Sequence, residues 1–304
     1  MSSTVSLTIP DEPLSTGDLE SLVAVAAAQD TAWFGAPEVD ADDLQMLVDR
    51  AIAECGSLGA GARVAVDDAT GAVVGVALLV GHGHTEFLID PAAVHAHTAL
   101  RLLLDWLLES GAADFETPVQ DTARVAALLD HGLVPTRSSF DLERPVDVTD
   151  LGAARWPSEI TLSTFRAGVD DQDVHDVIYS VWTDVVGHTF RPIEEWRSLI
   201  IDRPWFDPSL IVVTRRPDGA VAGVAICREF GDGVGWVSQI AVGRPDRGLG
   251  LGRAMLVEGF RRLAARPGVT SLGLSVEAEN ATALGLYRSV GLEITREWVH
   301  YAMP

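Results

Sequence analysis

The feature that most restricts the fold of this chain is that it repeats itself. Residues 67–80 (DDATGAVVGVALLV) match residues 215–228 (RRPDGAVAGVAICR), with Gly71/Gly219 and Gly75/Gly223 in register. Each segment reads as a strand, a tight turn at Asp/Gly and a second apolar strand. Further on, residues 121–134 (DTARVAALLDHGLV) match 280–293 (NATALGLYRSVGLE), two short helical patterns closed by Gly132 and Gly291. The segments FDLERP and VHYAMP then end at Pro145 and Pro304. Ordered matches of this kind require one fold built twice. The expected organisation is a first copy over 1–145, a linker over 146–158 and a second copy over 159–304.

The second copy predicts the order β-αα-βββ-α-β-α-β. Its strands fall in EITLSTFRA, SLIVVTRR, AVAGVAICREF, GWVSQIAV, SLGLSVEA and REWVHYAM. Helices are expected over 170–187, from Pro192, from Gly250 to Ala265 and after Asn280. The fold class is therefore α/β, two tandem domains, each a mixed, mostly antiparallel twisted sheet flanked by helices.

Composition narrows the function classes. With 304 residues, 47% of them hydrophobic, the chain can build its cores without metals or disulfides. Its two cysteines, Cys55 and Cys227, have no ligand spacing and point to a reduced, cytoplasmic protein. No basic leader opens the chain, and its longest apolar run is too short for a membrane span. The net charge is −22 and all 22 basic residues are arginine, which argues against nucleic-acid binding and suits a cationic small molecule. His82, His84, His95 and His97 lack a cysteine or carboxylate cluster at ligand spacing, so no metal is expected.

The stretch VGRPDRGLGLGRAM, residues 242–255, sits between a strand and a helix. A glycine turn there brings bare N–H groups and a helix dipole to one point, the physical basis of an anion site. A Walker loop is excluded because the chain has no lysine. The dinucleotide fingerprint fails because Arg253 stands where its third glycine belongs. What remains is R-x-x-G-x-G: Arg247, Gly250 and Gly252. Together with Asn280, Ala283, Leu286, Tyr287, Gly291 and Leu292 some thirty residues later, this stretch resembles the GNAT superfamily of N-acetyltransferases. The resemblance covers the whole second copy. The tandem arrangement, and PWFDPSLIVV over 204–213, are similar to mycothiol synthase and its relatives.

The resemblance implies an acetyl-CoA-dependent N-acetyltransferase in which the primary amine of a small molecule attacks the thioester directly. Backbone groups of Ile240, Ala241 and Val242 would pair with the pantetheine arm. The N–H groups of Arg247, Gly248, Leu249, Gly250, Leu251, Gly252 and Arg253 would cradle the pyrophosphate. Asn280 would bind the pantetheine region or cap its helix, and Tyr287 would protonate the departing sulfur. A donor to the oxyanion is implied near Val242. Many relatives carry a glutamate base where this chain has Trp236, which leaves Glu229 and His188 as weaker candidates. The first copy lacks the glycine turn and has Asp121 and Leu128 at the places of Asn280 and Tyr287, so it is expected to be a degenerate domain. The alternative is a non-catalytic acetyl-CoA-binding sensor or interaction module; neither the acceptor nor the oligomeric state is specified.

Overall fold

The computed structural model describes residues 4–81, 84–147, 149–182, 190–230 and 233–304. Its contacts divide the chain into two compact units, Met1–Ser138 with Glu297–Pro304, and Ser139–Arg296.

The first unit contains β1 (Val5–Thr8), α1 (Thr16–Phe34), α2 (Ala41–Cys55), a short α3 (Leu58–Gly61), β2 (Ala62–Asp67), β3 (Val73–Gly81), β4 (His84–Ile89), α4 (Ala96–Glu109), β5 (Phe115–Pro118), α5 (Thr122–Asp130) and the start of β6 (Val134–Pro145). Side chains begin its first helices: Ser15 and Asp18 form a capping box on α1, and Asp40 caps α2. Strands β1–β4 form an antiparallel sheet in chain order. Leu22, Leu44 and Val48 of α1 and α2 cover one face with Val76 and Leu88, while Leu103 and Leu107 of α4 cover the other with Phe87 and Leu128.

The second unit contains β7 (Thr161–Thr164), α6 (Asp171–Trp182), α7 (Ile193–Ile200), β8 (Ile211–Arg215), β9 (Val221–Glu229), β10 (Val234–Val242), α8 (Leu251–Ala264), β11 (Ser271–Glu277), α9 (Ala281–Arg288) and the start of β12 (Glu293–Ala302). Its sheet runs β6-β11-β10-β9-β8-β7, antiparallel except for β10 with β11. The helices α8 and α9 bury Met255, Phe260 and Tyr287 against one face with Leu142 and Leu272. Val174, Ile178 and Trp196 of α6 and α7 cover the other face at Val213, Val224 and Ala241. Sandwiched strands are apolar on both sides, which explains the continuous run VAGVAIC in β9.

Both units carry the same element order, and the mixed α/β class is the one expected. Gly75 and Gly223, paired in the repeat, do the same job. A Cβ at Gly75 would lie 2.8 Å from the Leu88 carbonyl and 3.0 Å from Leu103 of α4, and one at Gly223 would lie 2.8 Å from Met255 of α8. Glycine lets a helix close onto the middle strand in each unit.

The compact units and the repeat halves are nevertheless different cuts of the chain. Ser139–Pro145, the end of the first repeat, pairs with β11 of the second unit. Trp298–Tyr301, near the end of the second repeat, pairs with β5 of the first unit. Each repeat thus sends its last strand into the other unit's ladder. Within the expected linker, Thr149–Leu151 makes one 3-10 turn and Leu151 is buried. No helix among the described residues is long and apolar enough to cross a membrane.

Candidate active site

The parallel ladder between β10 and β11 is short. It joins Val234/Ser271, Gly235/Leu272 and Trp236/Gly273 and then stops, although β10 continues to Val242 and β11 to Glu277. The register with β9 slips between Val237 and Gln239, which places a bulge at Ser238 where the ladder ends. Inner strands are normally buried, yet Ser238, Gln239, Ile240 and Val242 are half-buried and Ser275 is exposed. The sheet is therefore split along this seam. The Gly243 N–H donates to Ala222 O of the hairpin with β9. Alternation along a strand then turns the Ile240 and Val242 N–H groups away from β9 and into the split, and the Ala241 N–H back toward β9. The Val242 carbonyl already accepts from Arg247 Nε at 3.2 Å.

At the mouth of the split the chain makes a 3-10 turn over Arg244–Asp246 and enters α8. Gly248 and Gly250 adopt φ of +79° and +80° with open space where a Cβ would sit, so backbone conformation alone requires glycine there. No side chain caps α8 at Gly250. The N–H groups of Leu251, Gly252 and Arg253, its first turn, have no intrahelical acceptor and carry the positive end of the dipole. Leu249 lies exposed on the outside of the turn. Arg216, at the β8–β9 hairpin, grips buried Asp246 with Nε at 3.0 and 3.1 Å and Nη2 at 2.7 Å, which ties the turn to the sheet. That bond holds Arg216 above its usual pKa. This clamp spans elements and leaves no local sequence signature.

Helix α9 lies on the same face as α8. Asn280 caps it through Oδ1, which accepts from Ala283 N at 3.0 Å, while its amide nitrogen makes no hydrogen bond among the described residues. The Tyr287 ring is buried, and burial pushes its pKa up to about 12. Its hydroxyl has no hydrogen-bond partner among the described residues, so it is neutral and its proton is uncommitted.

Residues 174–292 match the Acetyltransferase (GNAT) family. The mycothiol acetyltransferase of Clavibacter michiganensis subsp. michiganensis is 34% identical over 247 residues, covering 75% of each chain. This chain belongs to the GNAT acetyltransferase family. The mycothiol acetyltransferase of Thermomonospora curvata is 29% identical over 60% of this chain, and the match spans only 61% of that relative. Among solved structures, a GCN5-related N-acetyltransferase from Sphaerobacter thermophilus aligns with a TM-score of 0.74 and 24% identity, covering 98% of this chain and 94% of that one. A tandem GNAT protein from the clavulanic acid biosynthesis pathway aligns over 98% of both chains with a TM-score of 0.74 and 14% identity.

Of the two weaker base candidates, Glu229 lies among the described residues. Glu229 ends β9 and accepts from Arg266 Nε at 2.5 Å, while Arg266 also holds Asp207 at 2.7 Å. Both of these acidic side chains are thus engaged by one guanidinium. His188 lies outside the described residues. Sequence reasoning missed the face of the split opposite α8, where the Trp196 indole approaches Gln239 Oε1 at 3.4 Å and the Ser275 hydroxyl donates to Asp141 at 2.6 Å.

The first GNAT-like unit offers a direct comparison. Gly75 pairs with Ile89 as Gly223 pairs with Val242, so Ile89 is the counterpart of Val242. Its N–H, equally turned away from the neighbouring strand, donates to Gln29 Oε1 of α1 at 2.9 Å. Arg124 of α5 donates to the same oxygen at 2.6 Å and stacks on Phe87 and Trp33 at 4.1 and 4.8 Å. Asp121 caps α5 and pairs with Arg124 at 3.2 Å. Side chains thus satisfy the backbone that the second unit leaves open. Among the described residues no group of three or more His, Cys, Asp or Glu could hold a metal ion.

Proposed function

We propose that this chain transfers the acetyl group of acetyl-CoA to the primary amine of a small molecule, using the second unit. The observation that carries the reading is the split β10–β11 seam with a glycine turn at its mouth. It fits the donor on three counts. Ile240 and Val242 present N–H groups along the split to the amides of a pantetheine arm, much as an added strand would. The uncapped turn at Gly248–Arg253 presents N–H groups to a pyrophosphate. Asn280 retains an unused amide N–H₂ beside them. Acetyl-CoA supplies an activated acetyl thioester.

The residues of the chain then divide the work. The bulge at Ser238 frees backbone N–H groups at the inner end of the split, where a carbonyl oxygen gaining negative charge needs a donor. Tyr287, kept neutral by burial, holds a proton for the departing sulfur. The net charge of −22 favours the approach of an ammonium acceptor. Relatives named mycothiol acetyltransferase make a mycothiol-type amine one acceptor to test. The first unit, whose corresponding N–H is taken by Gln29, serves as a degenerate domain without acetyl-CoA, and the cytoplasm is the compartment this reading assigns.

Trp236, in place of a carboxylate, favours one competing reading, a module that binds acetyl-CoA without turnover. Thiol release from acetyl-CoA, followed with a panel of amino sugars, amino-acid amides and alkylamines, separates the two. Release that depends on one amine class supports the enzyme. Calorimetric binding of acetyl-CoA with no release on any amine supports the module, and failure to bind acetyl-CoA defeats both.

A further inference from the structure

An amine that reaches the thioester as an ammonium must lose a proton; Glu229 is held by Arg266, and His188 lies outside the described residues. We propose that Glu143, on β6, is the general base; this rests on the acetyltransferase reading. In the ladder Glu143 stands opposite Gly273, which is itself paired with Trp236 at the last rung before the split. A Cβ on Gly273 would lie 2.4 Å from Trp236 Cζ3 and 3.0 Å from Glu143 Cγ. The bare backbone at Gly273 therefore lets the indole and the glutamate stem close on it from either side. A Cβ on Gly235 points instead at Leu263 of α8, which puts Trp236, Gly273 and Glu143 on the face opposite α8. The donor's turn and Tyr287 belong to the α8–α9 face, so this carboxylate stands across the sheet from them, on the side left for the acceptor.

Its surroundings suit a base. Glu143 is half-buried and, among the described residues, accepts two long hydroxyl bonds, from Thr295 of β12 and Ser271 of β11, each 3.3 Å. No guanidinium pairs with it among the described residues, unlike Glu229 with Arg266. Other charged residues on this face among those described include Asp141 on the same strand, which accepts from Ser275, Glu277 farther along β11, and Arg228 on β9 across from Trp236. The Arg228 guanidinium lies 3.7 Å from the Phe230 ring centroid and 5.0 Å from that of Trp205. The step balances without a further reactant. The ammonium gives one proton to Glu143, the nitrogen lone pair forms the C–N bond, the C–S bond breaks as the sulfur takes the Tyr287 proton, and the second proton shed by the acylated nitrogen returns to the Tyr287 oxygen. Glu143 comes from the end of the first repeat, so the strand exchange brings a residue of one repeat to the seam formed by the other.

The test is Glu143→Gln in the full chain, assayed with the best amine of the panel. It should lower kcat by about 100-fold or more, remove the acidic limb of the kcat–pH profile and weaken amine binding measured by calorimetry without acetyl donor. Acetyl-CoA affinity should stay within about twofold. Adding Trp236→Glu to this variant should restore part of kcat, a rescue that repair of packing does not produce. If Glu143→Gln lowers the melting temperature, Glu143→Asp, which keeps the charge and withdraws it, should still cut kcat without moving acetyl-CoA affinity. Wild-type kcat and pH profile in Glu143→Gln, or the loss appearing in Asp141→Asn instead, overturns the assignment. No turnover by the wild type on any amine, with acetyl-CoA bound, defeats the acetyltransferase reading and the assignment with it.

Discussion

Gly250 and Gly252 stand two residues apart in one turn, and the structure gives them different reasons to be glycine. Gly252 lies in the first turn of α8, outside the positive-φ region, and a Cβ there would touch Val242 Cγ2 and Leu286 Cδ2 at 3.7 Å, normal contact distance. Gly252→Ala should therefore stabilise the free protein by about 0.4–1 kcal/mol, mainly by restricting the unfolded chain. For a unit of this size that raises the melting temperature by about 1–4 °C. The new methyl would sit between Val242 and Leu286, beside the split, where the donor is to lie. Forcing an extra methyl into a filled site costs about 1–3 kcal/mol, which is about 5- to 150-fold in acetyl-CoA affinity. Gly250→Ala meets no atom but must keep φ at +80°, which costs about 1–2 kcal/mol. The two variants should thus move stability in opposite directions and binding in the same one. Calorimetric unfolding and acetyl-CoA titration on both variants measure this. Wild-type acetyl-CoA affinity in Gly252→Ala would refute a donor running past Val242 and Leu286, and with it the reason offered for glycine at 252.

Further outcomes follow from the same geometry. Tyr287→Phe should lower kcat by about 100-fold or more while leaving acetyl-CoA affinity and unfolding temperature nearly unchanged; with its pKa at about 12, no loss of this acid should show in the wild-type pH profile below about pH 10. Arg216→Ala strips buried Asp246 of its guanidinium. With Arg216 31% exposed, the loss should be about 1–2 kcal/mol by denaturant titration, accompanied by weaker acetyl-CoA binding. Titration of the wild type should give one acetyl-CoA per chain, because Gln29 and Arg124 occupy the first unit's equivalent position; two would contradict the degenerate-domain reading. In the first unit, burial opposes charge on His300, but its bonds to Asp114 and Glu116 outweigh this and push its pKa up to about 9. A raised folded pKa stabilises fully below the unfolded value and is lost as pH rises from about 6.5 to 9. The loss should amount to roughly 2–3 kcal/mol, since Glu116 is 46% exposed and partly screened. His300→Gln should flatten the fall of melting temperature over that range.

What was legible in the sequence and what was not divides along a physical line. Element order, the glycine turn and the α9 motif could be read because each is written within a few consecutive residues: apolar periodicity, obligatory positive φ, a cap and its closing glycine. The partner of a strand is not written that way. Alternation in FDLERP says which side chains share a face, but nothing in it distinguishes pairing with β5 of its own repeat from pairing with β11 of the other. The exchange, the Arg216–Asp246 clamp and the place of Glu143 beside Gly273 therefore needed coordinates. The first repeat shows what this difference means for function. Its sequence reveals losses, no glycine turn and Leu128 for Tyr287, and suggests a vacated site. In the structure the N–H of Ile89, the counterpart of Val242, is hydrogen-bonded to Gln29, and buried Arg124 donates to the same oxygen and stacks on Phe87 and Trp33. Restoring the turn alone would leave that N–H engaged and the guanidinium in the way. Removing Arg124 alone would take from half-buried Asp121 its ion-pair partner and still leave Gln29 Oε1 on the Ile89 N–H. On the degenerate-domain reading, acetyl-CoA binding should return to the first unit only if several of these changes reverse together, whereas in the second unit a single methyl at Gly252 is expected to oppose it.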